Sequence, residues 1–349
     1  MKTITGLLIT GALLVPTAPA AAQSHDVQRD IDHIVDASIA LAADALDQLA
    51  AARAQSSAER DRSRERARQA RERARARQDR ENLPEYTEVF SKTVRLGRNG
   101  RLDLDSVAGN VEITGGGGDE VRITATKKAH APTEAAARDQ LRATDIVVTE
   151  RTGNVSIQAE ATRGRQGLAA VDYMITVPSG TDLLLNTIAG DITLKSTSGD
   201  IRIDSKAGDI SITETKSRDV DVKTVSGDIQ LQQVEAERVT VESTAGDIEY
   251  RGRLMKNGHY EFRTTGGDVH IVPDASAFDV EASTFSGEFS SDFALKLQGT
   301  TTRNSFGGNV GRGILGLPGG RGTLRGTYNE GGPVLSIRSL SGDISITKK

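Results

Sequence analysis

A short phrase repeated along the chain constrains the fold more than any other feature of this sequence. Between residues 187 and 212 the pattern Ser/Thr-x-Ala/Ser-Gly-Asp-Ile-x-Ile/Leu occurs three times, and it returns at wider spacing as far as residue 346. Tandem copies of one short unit are typical of repeat architectures. The glycine and acidic positions of the copies are Gly190-Asp191, Gly199-Asp200, Gly208-Asp209, Gly227-Asp228, Gly246-Asp247, Gly267-Asp268, Gly287-Glu288 and Gly342-Asp343.

The residues on either side of each Gly-Asp pair alternate between apolar and polar, as they do in β-strands. In the copy at Asp247, the apolar positions Val239 and Val241 before the pair are odd, whereas Ile248 and Tyr250 after it are even. Both arms can bury their apolar sides only if the chain bends at Gly-Asp. Glycine supplies a backbone conformation that other residues resist, and aspartate can accept hydrogen bonds from nearby amides. We therefore interpret the pair as a corner.

The steps between acidic residues predict the topology. Asp191, Asp200 and Asp209 are nine residues apart, and the later steps, as far as Glu288, are about 20 residues. Nine residues then correspond to half a coil and about 20 residues to a full coil, within the range of stacked repeats. We predict an all-β fold, a β-solenoid of stacked coils with Ser-Gly-Asp corners. The alternative is a twisted antiparallel meander with Ser-Gly-Asp hairpins.

The N-terminal 22 residues have the features of a secretory signal peptide. Lys2 supplies the positive charge, residues 6–15 form a short apolar run, and small residues precede a cleavage point after Ala22. The run is too short to span a bilayer comfortably, so a retained membrane anchor is the less favoured alternative. We expect an exported protein of the periplasm, the cell surface or the medium. The absence of cysteine excludes disulfides, thiolate metal sites and a lipoprotein anchor.

Residues 23–83 are predicted to form a long N-terminal α-helical arm, amphipathic at first and then rich in arginine. Proline and glycine are absent from 25–82, apolar residues recur at three- and four-residue steps up to Ala52, and 53–80 holds eleven arginines. The arginine-rich part is interpreted either as a solvated spacer or as a basic arm attracted to anionic lipid or acidic polymers. The apolar stripe suggests self-association through a coiled coil.

The predicted organisation has four parts. Residues 1–22 are the signal peptide, 23–83 the arm, 84–180 an N-terminal β cap with one helix at 132–143, and 181–349 the solenoid repeat region. A residue that precedes proline disfavours the helical conformation, so the helical arm is expected to end at residue 83, before Pro84. A cap is expected because the first open edge of a stacked β structure has to be covered.

The repeated carboxylates raise the question of a cation ladder. Calcium-binding β-rolls carry several glycines and aspartates per turn, whereas this unit has one acid per copy, and Glu288 or Asn110 can stand in its place. The corners are therefore interpreted as structural. No Ser-His-Asp set, phosphate loop or histidine spacing typical of a metal site is recognisable, so no catalytic, cofactor or metal residue is predicted. The net charge of −4 gives the chain as a whole no nucleic-acid character.

The repeated phrases, together with the lead-in YMITVPSG at 173–180, resemble a bacterial putative-adhesin family with β-strand repeats, a domain of unknown function. The resemblance covers about residues 102–346. It implies a right-handed β-solenoid, extracytoplasmic or membrane-associated placement, and a role in adhesion or envelope-stress sensing. The family has no established catalytic residues, so none is transferred.

The leading hypothesis is a non-enzymatic exported cell-envelope protein, an adhesin-like β-solenoid that serves as scaffold or binding module. Its partner would be an envelope component: anionic lipid, polysaccharide or protein. One alternative is a polysaccharide-active enzyme with paired carboxylates on a solenoid face. The other is an envelope-stress sensing module that binds cationic peptides or lipids.

Overall fold

The computed structural model describes Glu65 and residues 83–161, 169–297, 313–315 and 322–348. The chain forms two compact units, Met1–Asp79 and Arg80–Lys349. The second unit contains all the elements named below, and the signal peptide and nearly all of the predicted arm lie outside the described residues. The domain boundaries expected after residues 22, 83 and 180 stay predictions.

The fold-class prediction needs one correction. Of the described residues, 73% lie in strands and the structure shows a single short helix, so the predicted long N-terminal α-helical arm is not seen. That prediction was based on helix propensity and an apolar stripe, whereas most helical stability in proteins comes from packing against other elements. The solenoid part of the prediction agrees with the structure. The coiled-coil prediction falls on 23–83 and lies outside the described residues.

The described elements are one helix and a long series of strands. The helix is α1 (Glu134–Arg142). The strands are β1 (Glu85–Arg95), β2 (Arg101–Ala108), β3 (Val111–Gly116), β4 (Glu120–His130), β5 (Thr144–Arg151), β6 (Asn154–Ala161), β7 (Ala170–Pro178), β8 (Asp182–Ala189), β9 (Ile192–Lys195), β10 (Ile201–Ala207), β11 (Ile210–Ser226), β12 (Ile229–Ala245), β13 (Ile248–Gly266), β14 (Val269–Asp274), β15 (Phe278–Ser286), β16 (Phe289–Ser291), β17 (Lys296–Leu297), β18 (Gly313–Leu315), β19 (Gly322–Tyr328), β20 (Val334–Ser341) and β21 (Ile344–Ile346).

The strands stack in parallel into two faces that meet at the Gly-Asp corners. The front face follows the order β6, β2, β8, β10, the second halves of β11, β12 and β13, then β20 and β15. The back face follows β7, β3, β9, the first halves of β11, β12 and β13, then β14, β21 and β16. Each coil contributes one strand to each face.

The core lies between the two faces and consists of the apolar positions of the repeat. On the front face Val220, Val239, Tyr260, Leu335 and Val280 are in register and buried. The back face has the equivalent buried column Ile210, Ile229, Ile248, Val269, Ile344 and Phe289. The alternation read from the sequence therefore places these side chains in the interior, as a pleated strand requires.

The N-terminal end of the stack is covered by antiparallel strands and the helix. β1 pairs with β4, β4 pairs with the back-face strand β7, and β5 pairs with the front-face strand β6. Helix α1 begins after the N-cap Thr133, whose hydroxyl oxygen accepts from the Ala136 amide at 3.3 Å. The amine of Lys127 donates to the carbonyl of Leu141 at the other end of the helix. The helix predicted at 132–143 is thus confirmed.

The order of strands along the stack departs from chain order at two places. β2 and β3 lie between β6–β7 and β8–β9, and β20–β21 lies between β13–β14 and β15–β16. Because every copy of the unit has the same register and the same corner, each copy can stack on any other. The local pattern therefore leaves the order of the coils open.

Candidate functional site

A ladder of hydrogen bonds runs along the Gly-Asp corners. In each coil, the side-chain oxygen of the acidic residue accepts from the backbone amide of the corner residue in the next coil. The donor–acceptor pairs are Asn110–Asp172 at 2.8 Å, Asp191–Asn110 at 3.1 Å, Asp209–Asp191 at 2.9 Å, Asp228–Asp209 at 2.8 Å, Asp247–Asp228 at 2.8 Å, Asp268–Asp247 at 2.8 Å, Asp343–Asp268 at 2.7 Å and Glu288–Asp343 at 2.8 Å. We call this series the corner ladder.

The glycines of the corner ladder stack so closely that no side chain would fit. A Cβ on Gly246, which has φ +140°, would lie 2.2 Å from the carbonyl oxygen of Gly227. Gly190, Gly208, Gly227, Gly267 and Gly342 have the same kind of contact, with φ between +124° and +155°. Glycine is required both by this left-handed conformation and by the approach of one backbone to the next.

The Ser/Thr position of the phrase lies just inside the corner ladder and is buried. The hydroxyl of Thr284 donates to the carbonyl of Gly342 at 3.2 Å, and that of Thr264 contacts the carbonyl of Gly246 at 3.5 Å. These two hydroxyls contact the backbone of the bend from within. At the same position of other copies, the buried hydroxyls of Ser106, Thr187, Ser205 and Ser243 have no hydrogen-bond partner among the described residues.

Asp200 and Gly199 lie at a different corner from the other predicted pairs. The amide of Asp200 donates to Asp182 at 2.9 Å, and its carboxylate accepts from the amide of Asp219 at 3.2 Å and pairs with Arg218. Asp191 and Asp209, the neighbours of Asp200 in the repeat, are adjacent in the corner ladder. The interpretation of nine residues as half a coil is therefore confirmed.

The corner carboxylates accept hydrogen bonds from backbone amides, which limits their availability to bind a ligand. Oδ1 of each aspartate in the corner ladder accepts from a backbone N–H of the next coil. The carboxylates therefore lie in a row along the stack and do not point toward a common centre. Across the described ranges, no three His, Asp or Glu side chains form a group that could hold a metal ion. In the described coils the corner residues therefore make a structural contact between neighbouring bends.

A groove on the front face is the strongest candidate for binding. It has a volume of about 590 Å³ and crosses five neighbouring strands, β11, β12, β13, β20 and β15. We call it the front groove. Its lining residues are Lys223, Thr224, Glu242, Ser243, Thr244, Arg263, Thr264, Thr265, Ser283, Thr284, Phe285, Arg338, Ser339 and Leu340.

Three cations of the front groove share two carboxylates. Lys223 and Arg263 contact Glu242 at 3.3 Å and 3.1 Å, and Arg263 also reaches Glu261. Arg338 lies 3.8 Å from the same Glu261 and is 52% exposed at its side chain. Arg263 and Arg338 are in register on adjacent strands, where like charges repel. The groove therefore has a local excess of positive charge at its centre.

An apolar platform ends the front groove. Phe285 is 55% exposed and Leu340 is 52% exposed, and both belong to the outermost parallel strands β15 and β20. Phe262, Phe278 and Phe289 are by contrast buried in the core. An exposed ring beside guanidinium groups and threonine hydroxyls can contact the apolar side of a ligand while the cations bind its acidic groups.

The front groove was missed by the sequence analysis, although the repeat carries a signal for it. Lys223, Glu242, Arg263 and Arg338 each stand five residues before a corner acid, and Leu340 and Phe285 each stand three residues before one. Positions that share a place in the unit form one column on the stacked face. The signal would have been found by aligning the polar positions of the copies as well as the apolar ones.

Buried tyrosines are the groups with the most perturbed acidity, and they lie in the core rather than in the front groove. Burial raises the pKa of Tyr173 to about 12. Burial also raises the pKa of Tyr250 well above its usual value, with smaller contributions from Tyr260 and Glu235. In the part of the chain that the structure describes, no helix combines the length and the apolar character needed to cross a bilayer.

The family comparison agrees with the resemblance read from the repeats. Residues 99–257 match the family described as Toastrack DUF4097. The match begins just before β2 and ends within β13, and it includes the corners from Asn110 to Asp247. No curated protein matches the chain.

Three solved structures can be superposed on part of the chain. A putative cell adhesion protein of Clostridium sporogenes has 11% identity and a TM-score of 0.33, covering 75% of this chain and 100% of its own. Putative adhesins of Bacteroides fragilis and Parabacteroides distasonis have 12% and 8% identity, each with a TM-score of 0.37 and coverage of 75% of this chain and 97% of their own.

Proposed function

We propose, on the premise that residues 99–257 form a Toastrack DUF4097 domain, that this protein is a non-enzymatic, exported cell-envelope protein. Its β-solenoid would serve as a rigid, adhesin-like scaffold, and the front groove would be its binding surface. The N-terminal 22 residues, with their short apolar run and small residues before Ala22, support export.

The observation that carries the binding role is the shortage of carboxylates in the front groove. Among the described residues, Lys223, Arg263 and Arg338 share the two carboxylates of Glu242 and Glu261. A ligand with acidic groups would therefore relieve the repulsion between the two arginines. Arginine binds carboxylate, sulfate and phosphate groups through paired N–H donors.

The shape of the front groove favours a linear polymer. It crosses five strands, which at about 4.8 Å between strands gives a length of roughly 20 Å. Its sides carry hydroxyls from Thr244 and Thr265, and its apolar end is limited to Phe285 and Leu340. A hydroxyl-rich and cationic track of this length suits an acidic polysaccharide of the envelope better than an acyl chain.

The carboxylates of the front groove support binding rather than hydrolysis. Glycoside hydrolysis needs two carboxyl groups that flank the scissile bond, one of them available as an acid. Glu242 is shared by Lys223 and Arg263, and Glu261 is shared by Arg263 and Arg338. Both acids thus already have two cationic partners.

The proposal is tested by calorimetric titration of the purified protein with polygalacturonate oligosaccharides and, separately, with neutral dextran. We expect binding of the acidic chain that weakens as salt is raised, and no binding of dextran. Phe285→Ser should weaken the binding of the acidic chain. Equal binding of both polymers, or binding of neither, would contradict the assignment. Release of shortened oligosaccharides during the titration would show an enzyme instead.

Export is tested by fractionating cells that express the tagged full chain or a chain without residues 1–22. The full chain should be recovered outside the cytoplasm, and the shortened chain should stay inside. Recovery of both chains in the cytoplasm would contradict placement in the envelope.

A further inference from the structure

The segment β20–β21 occupies a slot between coils that are neighbours in sequence. β14 and β15 are joined by only three residues, 275–277, yet β20–β21 lies between their coils. Leu335 is in register with Tyr260 on one side and with Val280 on the other. The strand before this segment, β19, pairs with β15, and residues 329–333 join β19 to β20.

All contacts that hold β20–β21 in this slot are non-covalent and repeat the pattern of the other coils. The amide of Asp343 donates to Asp268 at 2.7 Å, and its carboxylate accepts from the amide of Glu288 at 2.8 Å. Four apolar side chains of the segment are fully buried, namely Leu335, Ile337, Ile344 and Ile346. The same segment of a second copy would make every one of these contacts.

We propose that β20–β21 of one copy fills the slot of a second copy, and that the two copies form a reciprocal dimer by strand exchange. Exchange of an identical element is a low-cost route to dimers because the contacts are conserved. A slot without its segment leaves two parallel strand edges unpaired, and such edges recruit strands. The five residues 329–333 that join β19 to β20 span at most about 18 Å when extended, so exchange would bring the two copies close together at this end of the stack.

Protein concentration determines whether β20–β21 fills the slot of its own molecule or that of a second copy. A segment held by a short linker competes for its own slot with an effective concentration in the millimolar range. The segment therefore fills its own slot in dilute solution, and exchange grows where copies are crowded together. The inference does not depend on the ligand of the front groove.

A cysteine pair reports which copy fills the slot. The chain has no cysteine, so the double variant Thr264→Cys/Ser339→Cys contains only the two introduced thiols. These positions are in register on β13 and β20, at a spacing that a disulfide can bridge. The matched control is Thr224→Cys/Ser243→Cys, in the same column on the consecutive coils β11 and β12.

Both variants are unfolded in urea, refolded at low and high protein concentration, oxidised and separated by non-reducing electrophoresis. We expect covalent dimers from the 264/339 pair in a proportion that rises with concentration, and only monomers from the control. Monomers from both pairs at all concentrations, or dimers from both, would overturn the proposal.

A labelled peptide of residues 333–348 gives a second measurement that needs no disulfide. Refolding of the unmodified protein in an excess of the peptide should incorporate it into the folded protein. The same peptide with Gly342→Val should be excluded, because a Cβ at Gly342 would lie 2.0 Å from the carbonyl oxygen of Gly267. Equal incorporation of both peptides, or of neither, would also overturn the proposal.

Discussion

The carboxylate of Asp228 accepts a hydrogen bond of 2.8 Å from the backbone amide of Asp247, one coil further along the stack. The same bond recurs from coil to coil, so the acidic residue of the repeat joins one bend to the next. A carboxylate in this position satisfies an amide that the bend takes out of the strand ladder. The corner ladder is therefore a hydrogen-bonded connection between neighbouring coils of the stack.

Asp228→Ala should lower the free energy of unfolding by about 1–2 kcal/mol, because it removes a charge-assisted hydrogen bond at an exposed corner. Asp228→Asn should cost less, since Asn110 makes the equivalent bond to the amide of Asp191. Urea unfolding measures both. If the two variants were equally unstable, the charge rather than the acceptor oxygen would be the important feature. Calcium and a chelator should leave all three midpoints unchanged, and a calcium-dependent midpoint would favour a cation ladder.

Gly246→Ala should destabilise the protein by roughly 2–5 kcal/mol, since it adds left-handed strain to a steric overlap. Its Cβ would lie 2.2 Å from the carbonyl oxygen of Gly227. Gly266→Ala is the control, because Gly266 ends β13 one place before the corner glycine Gly267 and the nearest atom to its new Cβ is 3.8 Å away. Thermal unfolding should separate the two variants by many degrees. Similar melting temperatures would argue against the close approach at the corner.

Two buried tyrosines should respond in opposite ways to loss of the hydroxyl. The Tyr173 hydroxyl has no hydrogen-bond partner among the described residues, so Tyr173→Phe should be neutral or stabilising by up to about 1 kcal/mol. The Tyr260 hydroxyl donates to the carbonyl of Ala236 at 2.6 Å and accepts from the amide of Met255 at 2.7 Å. Tyr260→Phe should therefore destabilise by about 1–3 kcal/mol. Urea unfolding at neutral pH measures both, and the same sign for the two variants would contradict the hydrogen bonding.

Stability should fall in alkali because of the same tyrosines. Burial raises the pKa of Tyr173 to about 12 from its usual 10, so above pH 10 the unfolded chain loses this proton while the folded chain keeps it. The free energy of unfolding then decreases by about 1.4 kcal/mol per pH unit for each such group. It should be insensitive to tyrosine ionisation below pH 9 and decline between pH 10 and 12. Tyr173→Phe should make the decline shallower, and an unchanged slope would contradict the burial of this hydroxyl in the folded state.

The sequence was sufficient to predict the Gly-Asp corner but not the order of the coils along the stack. The change of parity between Val241 and Ile248 located the bend, and the nine-residue steps placed Asp200 half a coil from Asp191. A second bend, at Ser196, Glu214 and Gln233, was not predicted. These residues have the left-handed conformation, but none of them is a glycine that would mark a bend in the sequence. Equivalent copies carry no information on which coil is next to which, so the placement of β20–β21 could not be read.

The front groove could not be predicted from the sequence for a similar reason. Arg263 and Arg338 are distant in sequence and become neighbours only because β20 is inserted beside β13. Phe285 stands at an outward position of β15, although aromatic residues of this type are more often buried. The predicted long helical arm is not seen, and nearly all of residues 23–83 lie outside the described residues.

The most direct measurement of the central claim compares Arg338→Gln with Arg202→Gln in titrations with polygalacturonate oligosaccharides. Arg202 is on the same face but outside the front groove, where it lies 3.7 Å from Asp221. Loss of one charged contact in the groove should weaken binding roughly ten-fold for Arg338→Gln and leave Arg202→Gln like the unmodified protein. Equal loss in both variants, or no loss in either, would contradict the front groove as the binding site.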